Sequence, residues 1–279
     1  MKRILIGASL LVALTARADV DPTWTTSIPP FRIAGNLYYV GSKGLASYLV
    51  ATPDGHILIN SDLQANVPLI RASVVKLGFK IEDVKILLVS HAHSDHVAGS
   101  AALKKLTGAR YMVMDGDVPV VESGGKADFQ YPEDRYPATK VDRVLHDGDE
   151  VKLGDATLVA HKTPGHTRGC TTWTMKVDGL DAVIVGGPGV NRGYKLVGNE
   201  AYPTIAEDYE RTFRVLEGLH CDLFLGAHGG YFGMDAKLGS MKPGAPNPFV
   251  DPDGYKAFIA GKKQDFRMEL EKQRTAARH

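Results

Sequence analysis

The stretch Ser90-His91-Ala92-His93-Ser94-Asp95-His96-Val97-Ala98-Gly99 packs three histidines and one aspartate into six consecutive positions. It continues residues 84–90, a run rich in Val, Ile and Leu that suits a buried strand. The cluster should therefore emerge at the carboxyl end of that strand, the edge where open α/β sheets bind ligands. Residues two apart in extended backbone point the same way, so His91 and His93 can converge on one metal ion. Asp95 and His96, where the chain turns into a helix, can reach a second. Imidazole and carboxylate suit a borderline-soft ion such as zinc. A single histidine here would read as an ordinary satisfied polar residue. Three imidazoles and a carboxylate packed together without an ion would leave polar groups to satisfy, and this decides for a metal site.

Two further ligands are sought at other strand ends. His166 lies in Thr163-Pro164-Gly165-His166-Thr167, after an apolar strand over 156–162. His228 lies in Gly226-Ala227-His228-Gly229-Gly230, after a strand over 222–225. Both sit beside glycines, where backbone can approach a site closely. Together with the first cluster they complete a six-ligand set. His161 is the nearest rival to His166, but it falls inside the strand. His56, His146, His220 and His279 have no motif around them and read as surface or packed residues.

Working outward, strands are predicted over 37–40, 46–51 and 56–60, with the turn Thr52-Pro53-Asp54-Gly55 joining the last two. A helix over 66–77 ends at Gly78, and a second over 98–106 ends at Gly108. A strand over 109–114 follows. Residues 116–139 read as a long irregular loop of the kind that walls a site. Strands then recur over 150–153, 156–162, 171–177 and 182–185, with helices over 206–216 and 255–275. The proline-rich segment 22–30 reads as an extended arm. This order gives two similar halves, each a sheet covered by helices.

The chain of 279 residues is long enough to bury a sizeable core. With 33 basic against 32 acidic residues it has no excess charge for binding phosphates, so nucleic acid is not an expected partner. Lys2 and Arg3, an apolar stretch over 4–14 and Ala16-Arg17-Ala18 have the layout of a secretory signal peptide over 1–18. The apolar stretch is too short to span a bilayer about 30 Å thick. A single domain over 19–279, exported and free of the membrane after cleavage, is the expectation. Cys170 and Cys221 could pair in an oxidising compartment or remain as two buried thiols.

The series His-x-His-x-Asp-His, then Gly165-His166-Thr167, then His228, resembles the metallo-β-lactamase superfamily along nearly the whole mature chain. The resemblance implies a four-layer αβ/βα sandwich with two zinc ions in a cleft at its edge. Glyoxalase-II-like members carry a bridging aspartate after a later strand, whereas here Gly186-Gly187-Pro188 follows 182–185. The set is thus similar to the third subclass of class B β-lactamases, as are residues 163–173, 191–198 with Tyr202-Pro203, and 227–233. One departure is that members often carry a serine near Gly187-Pro188 that helps hold the substrate carboxylate.

The resemblance further implies that His91, His93 and His166 hold one zinc and Asp95, His96 and His228 the other. A zinc-bound bridging hydroxide would open the β-lactam ring, carbapenems included, with Asp95 orienting the nucleophile. Ser94, Asn191 and Arg192 are candidates to meet the substrate carboxylate, and Arg192 reads equally well as a solvated loop charge. Residues 124–129 and the Tyr231-Phe232 pair are candidate cleft walls. A periplasmic monomer acting on a small molecule is expected. The rivals are a lactonase or thioesterase on the same scaffold and a non-catalytic zinc-binding module, though all six candidate ligands are present.

Overall fold

A computed structural model describes residues 21–278. The expected secretory signal over 1–18 lies outside the described residues. The first sheet has seven strands in sequential order. They are β1 (Phe31–Ala34), β2 (Leu37–Tyr39), β3 (Tyr48–Thr52), β4 (Gly55–Ile59), β5 (Val84–Leu88), β6 (Arg110–Met114) and β7 (Arg143–Leu145). The second sheet holds β8 (Glu150–Leu153), β9 (Ala156–Lys162), β10 (Thr171–Val177), β11 (Leu180–Val185) and β12 (Leu223–Gly226), in the order β12-β11-β10-β9-β8. Helices α1 (Val67–Lys76), α2 (Ser94–Val97), α3 (Ser100–Thr107) and α4 (Val118–Glu122) belong to the first half. Helices α5 (Ile205–Gly218), α6 (Met234–Ser240) and α7 (Pro252–Ala276) belong to the second.

Alternation along the central strands builds the layers. Ile57 and Ile59 of β4, and Ile86 and Leu88 of β5, join the core that also holds Trp173, Met175 and Val183 of the second sheet. Leu58, Leu87 and Val89 point the opposite way, against Ile70 and Val74 of α1 and Leu103 of α3. These strands are covered on both faces, which accounts for the unbroken apolar run before His91. Tyr209 and Phe213 of α5 and Phe266 of α7 cover the second sheet in the same way. The result is helix, sheet, sheet, helix: the expected four-layer αβ/βα sandwich. The parallel pairs β4–β5 and β11–β12 carry their loops to one rim.

Several details differ from the sequence expectation. The helix expected over 98–106 is α3, which starts two residues later, at Ser100, and is separated at Ala98-Gly99 from the short α2 that carries Asp95 and His96. A β-carbon on Gly99 would stand 2.4 Å from the Ser61 carbonyl oxygen, so the chain passes too close there for any side chain. The arm over 22–30 contains a 3-10 turn at Pro22–Trp24, capped by the Asp21 carboxylate on the Thr23 N–H at 2.8 Å. Strands β1 and β7 and helices α4 and α6 were not anticipated. They run for three to seven residues, too few for a period to show. Helix α7 begins three residues before position 255, at Pro252, with Asp251 capping the Gly254 N–H at 2.9 Å. Cys170 and Cys221 are both free and buried, which decides between the two options left open for them. No helix among the described residues is long and apolar enough to cross a membrane.

Candidate metal centre

Strand β5 ends at Leu88, and the next residues leave the sheet as the chain turns into α2. Their backbone is tied on every side. The Ser90 N–H donates to the Asn60 side-chain oxygen at 2.8 Å, and the Ser90 carbonyl accepts from the Thr171 N–H at 2.7 Å. Tyr136 Oη donates to the Ala92 carbonyl at 2.7 Å. His91 and His93 flank that fixed peptide and face the interior of the rim.

The second half brings His166 into the same space from the β9–β10 connection. The His91–His93, His91–His166 and His93–His166 ring centroids lie 4.9, 4.6 and 4.7 Å apart. One ring nitrogen from each of these three comes within 4.8 Å of the others, a group able to hold a metal ion. His166 Nδ1 donates to the Gly189 carbonyl at 2.8 Å. A carbonyl can only accept, so Nδ1 carries the proton and Nε2 keeps a free lone pair, the usual arrangement of a ligating imidazole.

A second set lies beside the first. Asp95 Oδ2 is 3.2 Å from His96 Nε2 and 3.5 Å from His228 Nε2, and the two nitrogens are 3.1 Å apart. Ligands about 2.0–2.1 Å from a tetrahedral zinc ion are separated by about 3.3 Å, so these three atoms fit one such ion. His91 also belongs to a metal-competent group with Asp95 and His96, which puts the two sets edge to edge.

Electrostatics point the same way. Burial holds His91 well below the usual histidine range, His93 and His228 down to about 4, and His166 down to about 3. Neighbouring imidazoles push in the same direction. Burial opposes ionisation of Asp95, but the facing imidazoles of His96, His228 and His93 outweigh it and hold the carboxyl below its ordinary range. The site thus offers neutral imidazoles and a carboxylate, the protonation states that bind a divalent cation. Burying so many lone pairs together suits a cation and little else. His96 Nδ1 is also buried without a partner.

Around these groups is a cleft of about 1040 Å³. Ser94, Asn191 and Tyr231 line it. Arg192 is exposed and is not among its lining residues. Phe232 is buried in the core, and the wall expected from 124–129 comes instead from Tyr131 and Asp134, further along the same loop. Ser94 Oγ donates to Asp134 Oδ2 at 2.5 Å. Trp24 and Lys43 also line the cleft and were missed, because neither sits in a motif. His161 stays in β9, hydrogen-bonded to Thr174 Oγ1 at 2.8 Å, away from this centre. The glycine at 187 has a local reason: a β-carbon there would stand 2.6 Å from His166 Cδ2.

The profile of the metallo-beta-lactamase superfamily matches residues 44–228, more than half of the chain. The native FEZ-1 metallo-beta-lactamase from Legionella gormanii superposes with a TM-score of 0.88 at 58% identity, covering 90% of this chain and 98% of that one. BJP-1 of Bradyrhizobium japonicum, a subclass B3 metallo-beta-lactamase, does so at 0.85 and 39% identity, covering 92% and 98%. A curated hydroxyacylglutathione hydrolase of Rhodopseudomonas palustris is 33% identical over a shorter stretch, 43% of this chain and 39% of its own length. A sandwich whose two halves each bring histidines to one rim, matched by that profile and by those structures, makes this chain a member of the metallo-beta-lactamase superfamily.

Proposed function

We propose that this protein is a zinc-dependent β-lactamase, exported to the periplasm, that hydrolyses the amide bond of the β-lactam ring and accepts carbapenems among its substrates. The observation that carries the reading is the pair of adjacent ligand sets, His91, His93 and His166 beside Asp95, His96 and His228. The names of the similar structures support the same substrate class. When bound, zinc ions supply Lewis acidity and lower the pKa of a coordinated water from 15.7 to about 7.

The chain's own groups do the rest. His91, His93 and His166 would hold one ion and Asp95, His96 and His228 the other. Asp95, kept ionised, accepts a hydrogen bond from the attacking water and orients it toward the ring carbonyl. Asn191, on the cleft wall, offers its amide to the substrate carboxylate. Ser94 already donates its hydroxyl proton to Asp134, so it meets that carboxylate only by exchanging partners. Arg192, exposed beside Asn191, attracts an anionic substrate from solution. Trp24, Tyr131 and Tyr231 give the cleft apolar walls for the substrate's side groups. No second chain is needed to complete the site, in keeping with a monomer.

A thioesterase or lactonase on the same scaffold is the second reading, favoured by the partial match to a hydroxyacylglutathione hydrolase. The turn after β11, Gly186-Gly187-Pro188, holds no carboxylate that could bridge two ions as in that group. Zinc-loaded protein should hydrolyse penicillin, cephalosporin and carbapenem panels and lose that activity with a chelator. Turnover of lactones or thioesters with none of any β-lactam would overturn the proposal.

A further inference from the structure

Asp117 is one of the least exposed carboxylates in the protein, at 1% exposure, and the metal sets do not include it. It lies just before α4, in the connection after β6. Its Oδ2 accepts from the Ala92 N–H at 2.9 Å and from Thr167 Oγ1 at 2.8 Å. Its Oδ1 accepts from the Gly169 N–H at 2.8 Å. None of these donors is charged. Ala92 stands between His91 and His93, and Thr167 follows His166. One carboxylate therefore holds both loops that supply the three-histidine set, one loop from each half of the molecule.

The packing leaves it no slack. A β-carbon on Gly169 would meet the Asp117 backbone nitrogen at 2.4 Å, and one on Gly116 would meet the Arg168 carbonyl at 2.3 Å. The Ala92 peptide is pinned from both sides, its N–H by Asp117 and its carbonyl by Tyr136. Burial pushes Asp117 up to about 6, so the fold keeps a buried charge at neutral pH with no cation paired to it among the described residues. Such a cost is tolerated where it fixes something.

We propose that Asp117 is the positioning residue of the three-histidine metal site: it locks the His91–His93 loop and the His166 loop in one register and so presets the ion's ligand geometry. The inference rests on the zinc reading of that site. Groups that orient metal ligands from behind typically contribute about 10–100-fold to metal affinity. A carboxamide at 117 would turn an NH2 group toward one of the three donors, so the brace would fail without a change in volume.

The test is zinc affinity by competition with a chromophoric chelator, with the absorption spectrum of the cobalt(II)-substituted protein as a second readout. Asp95→Asn protein, in which the three-histidine set is intact, serves as the parent. Adding Asp117→Asn should weaken zinc at that set by about 10–100-fold and change the intensity of the cobalt bands. Thr167→Val tests the same brace with less risk to folding. It should weaken zinc as well, and Thr167→Ser, which keeps the hydroxyl, should restore affinity and spectrum. A mere loss of packing would lower thermal stability without that hydroxyl-specific rescue. If the parent binds zinc and the folded Asp117→Asn and Thr167→Val proteins bind it equally well, the inference is overturned alone. If the parent and the unaltered protein both bind no zinc, the metal reading falls and this inference with it.

Discussion

His96 Nε2 and His228 Nε2 lie 3.1 Å apart although 132 positions separate the two residues in the chain. A neutral imidazole protonated on Nε2 could donate to the other across that gap, but such a bond uses only one of the close contacts in the set, whereas a shared cation satisfies all of its lone pairs at once. Asp95 Oδ2 lies within 3.5 Å of both. The fold thus holds electron-rich atoms from its two halves at a spacing that a cation explains.

Replacing Asp95 removes the one charge of the second set while keeping side-chain volume. Asp95→Asn should lower the melting temperature of the metal-free protein at neutral pH, since the facing imidazoles outweigh the burial cost of the carboxylate and hold its pKa below the unfolded value. Zinc content should fall from two ions toward one, and β-lactam turnover by at least about 100-fold, comparable to losing a principal electrostatic contributor in other enzymes. Elemental analysis with a hydrolysis assay checks both, and unchanged turnover would contradict the role assigned to Asp95.

The metal-free protein should lose stability in acid, and the sign follows from the buried groups. His91, His93, His166 and His228 have folded pKa values depressed below 6.5, with values of about 4, 3 and 4 for the last three. Between about pH 6.5 and 4 the unfolded chain takes up protons at these positions and the folded chain does not, so stability falls as pH falls. Asp62 and Asp117, each raised to about 6 by burial, act oppositely. Their folded pKa lies above the unfolded value near 3.8, so they favour the folded state as pH falls through 6 toward 4. Each fully titrating group contributes up to about 1.4 kcal/mol per pH unit, and four histidines outweigh two carboxylates. Denaturant unfolding of chelator-treated protein at pH 7, 6 and 5 should give steadily lower midpoints, and a rising midpoint would refute this balance.

Trp173 connects the core to the site. It is buried between the sheets in β10, and its Nε1 donates to the Val89 carbonyl at 3.1 Å, two residues before His91. Trp173→Ala should cost about 3–5 kcal/mol in denaturant unfolding. Trp173→Phe should keep most of the packing but free the Val89 carbonyl, so zinc affinity should drop more than stability does. Equal, small effects of both changes would mean the indole is a filler only.

Both thiols are free and buried, with burial pushing Cys170 and Cys221 each up to about 12. Neither should react with a thiol reagent in the native protein, and two per chain should react after unfolding. A reducing agent should leave the melting temperature unmoved. A reductant-induced drop would reveal a disulfide.

What was legible in the sequence follows from how local each signal is. The ligand cluster over 91–96 sits on one short stretch, and the apolar run of β5 just before it gives both its strand and its exit point. His166 and His228 were legible because each ends an apolar strand beside glycine. The cleft walls were less so. Trp24 belongs to an arm without periodicity, and Tyr131 and Asp134 to an irregular loop whose course depends on tertiary contacts such as Arg135 Nε to the Gly124 carbonyl at 3.2 Å. Asp117 was silent for the same reason: its partners Ala92, Thr167 and Gly169 are brought to it only when the two halves pack.

Anomalous diffraction at the zinc edge, from crystals grown with zinc, addresses the convergence itself. Two peaks are expected, one among His91, His93 and His166 and a neighbour among Asp95, His96 and His228. Density with no anomalous peak in the cleft, or one ion bound far from these six side chains, would contradict the account.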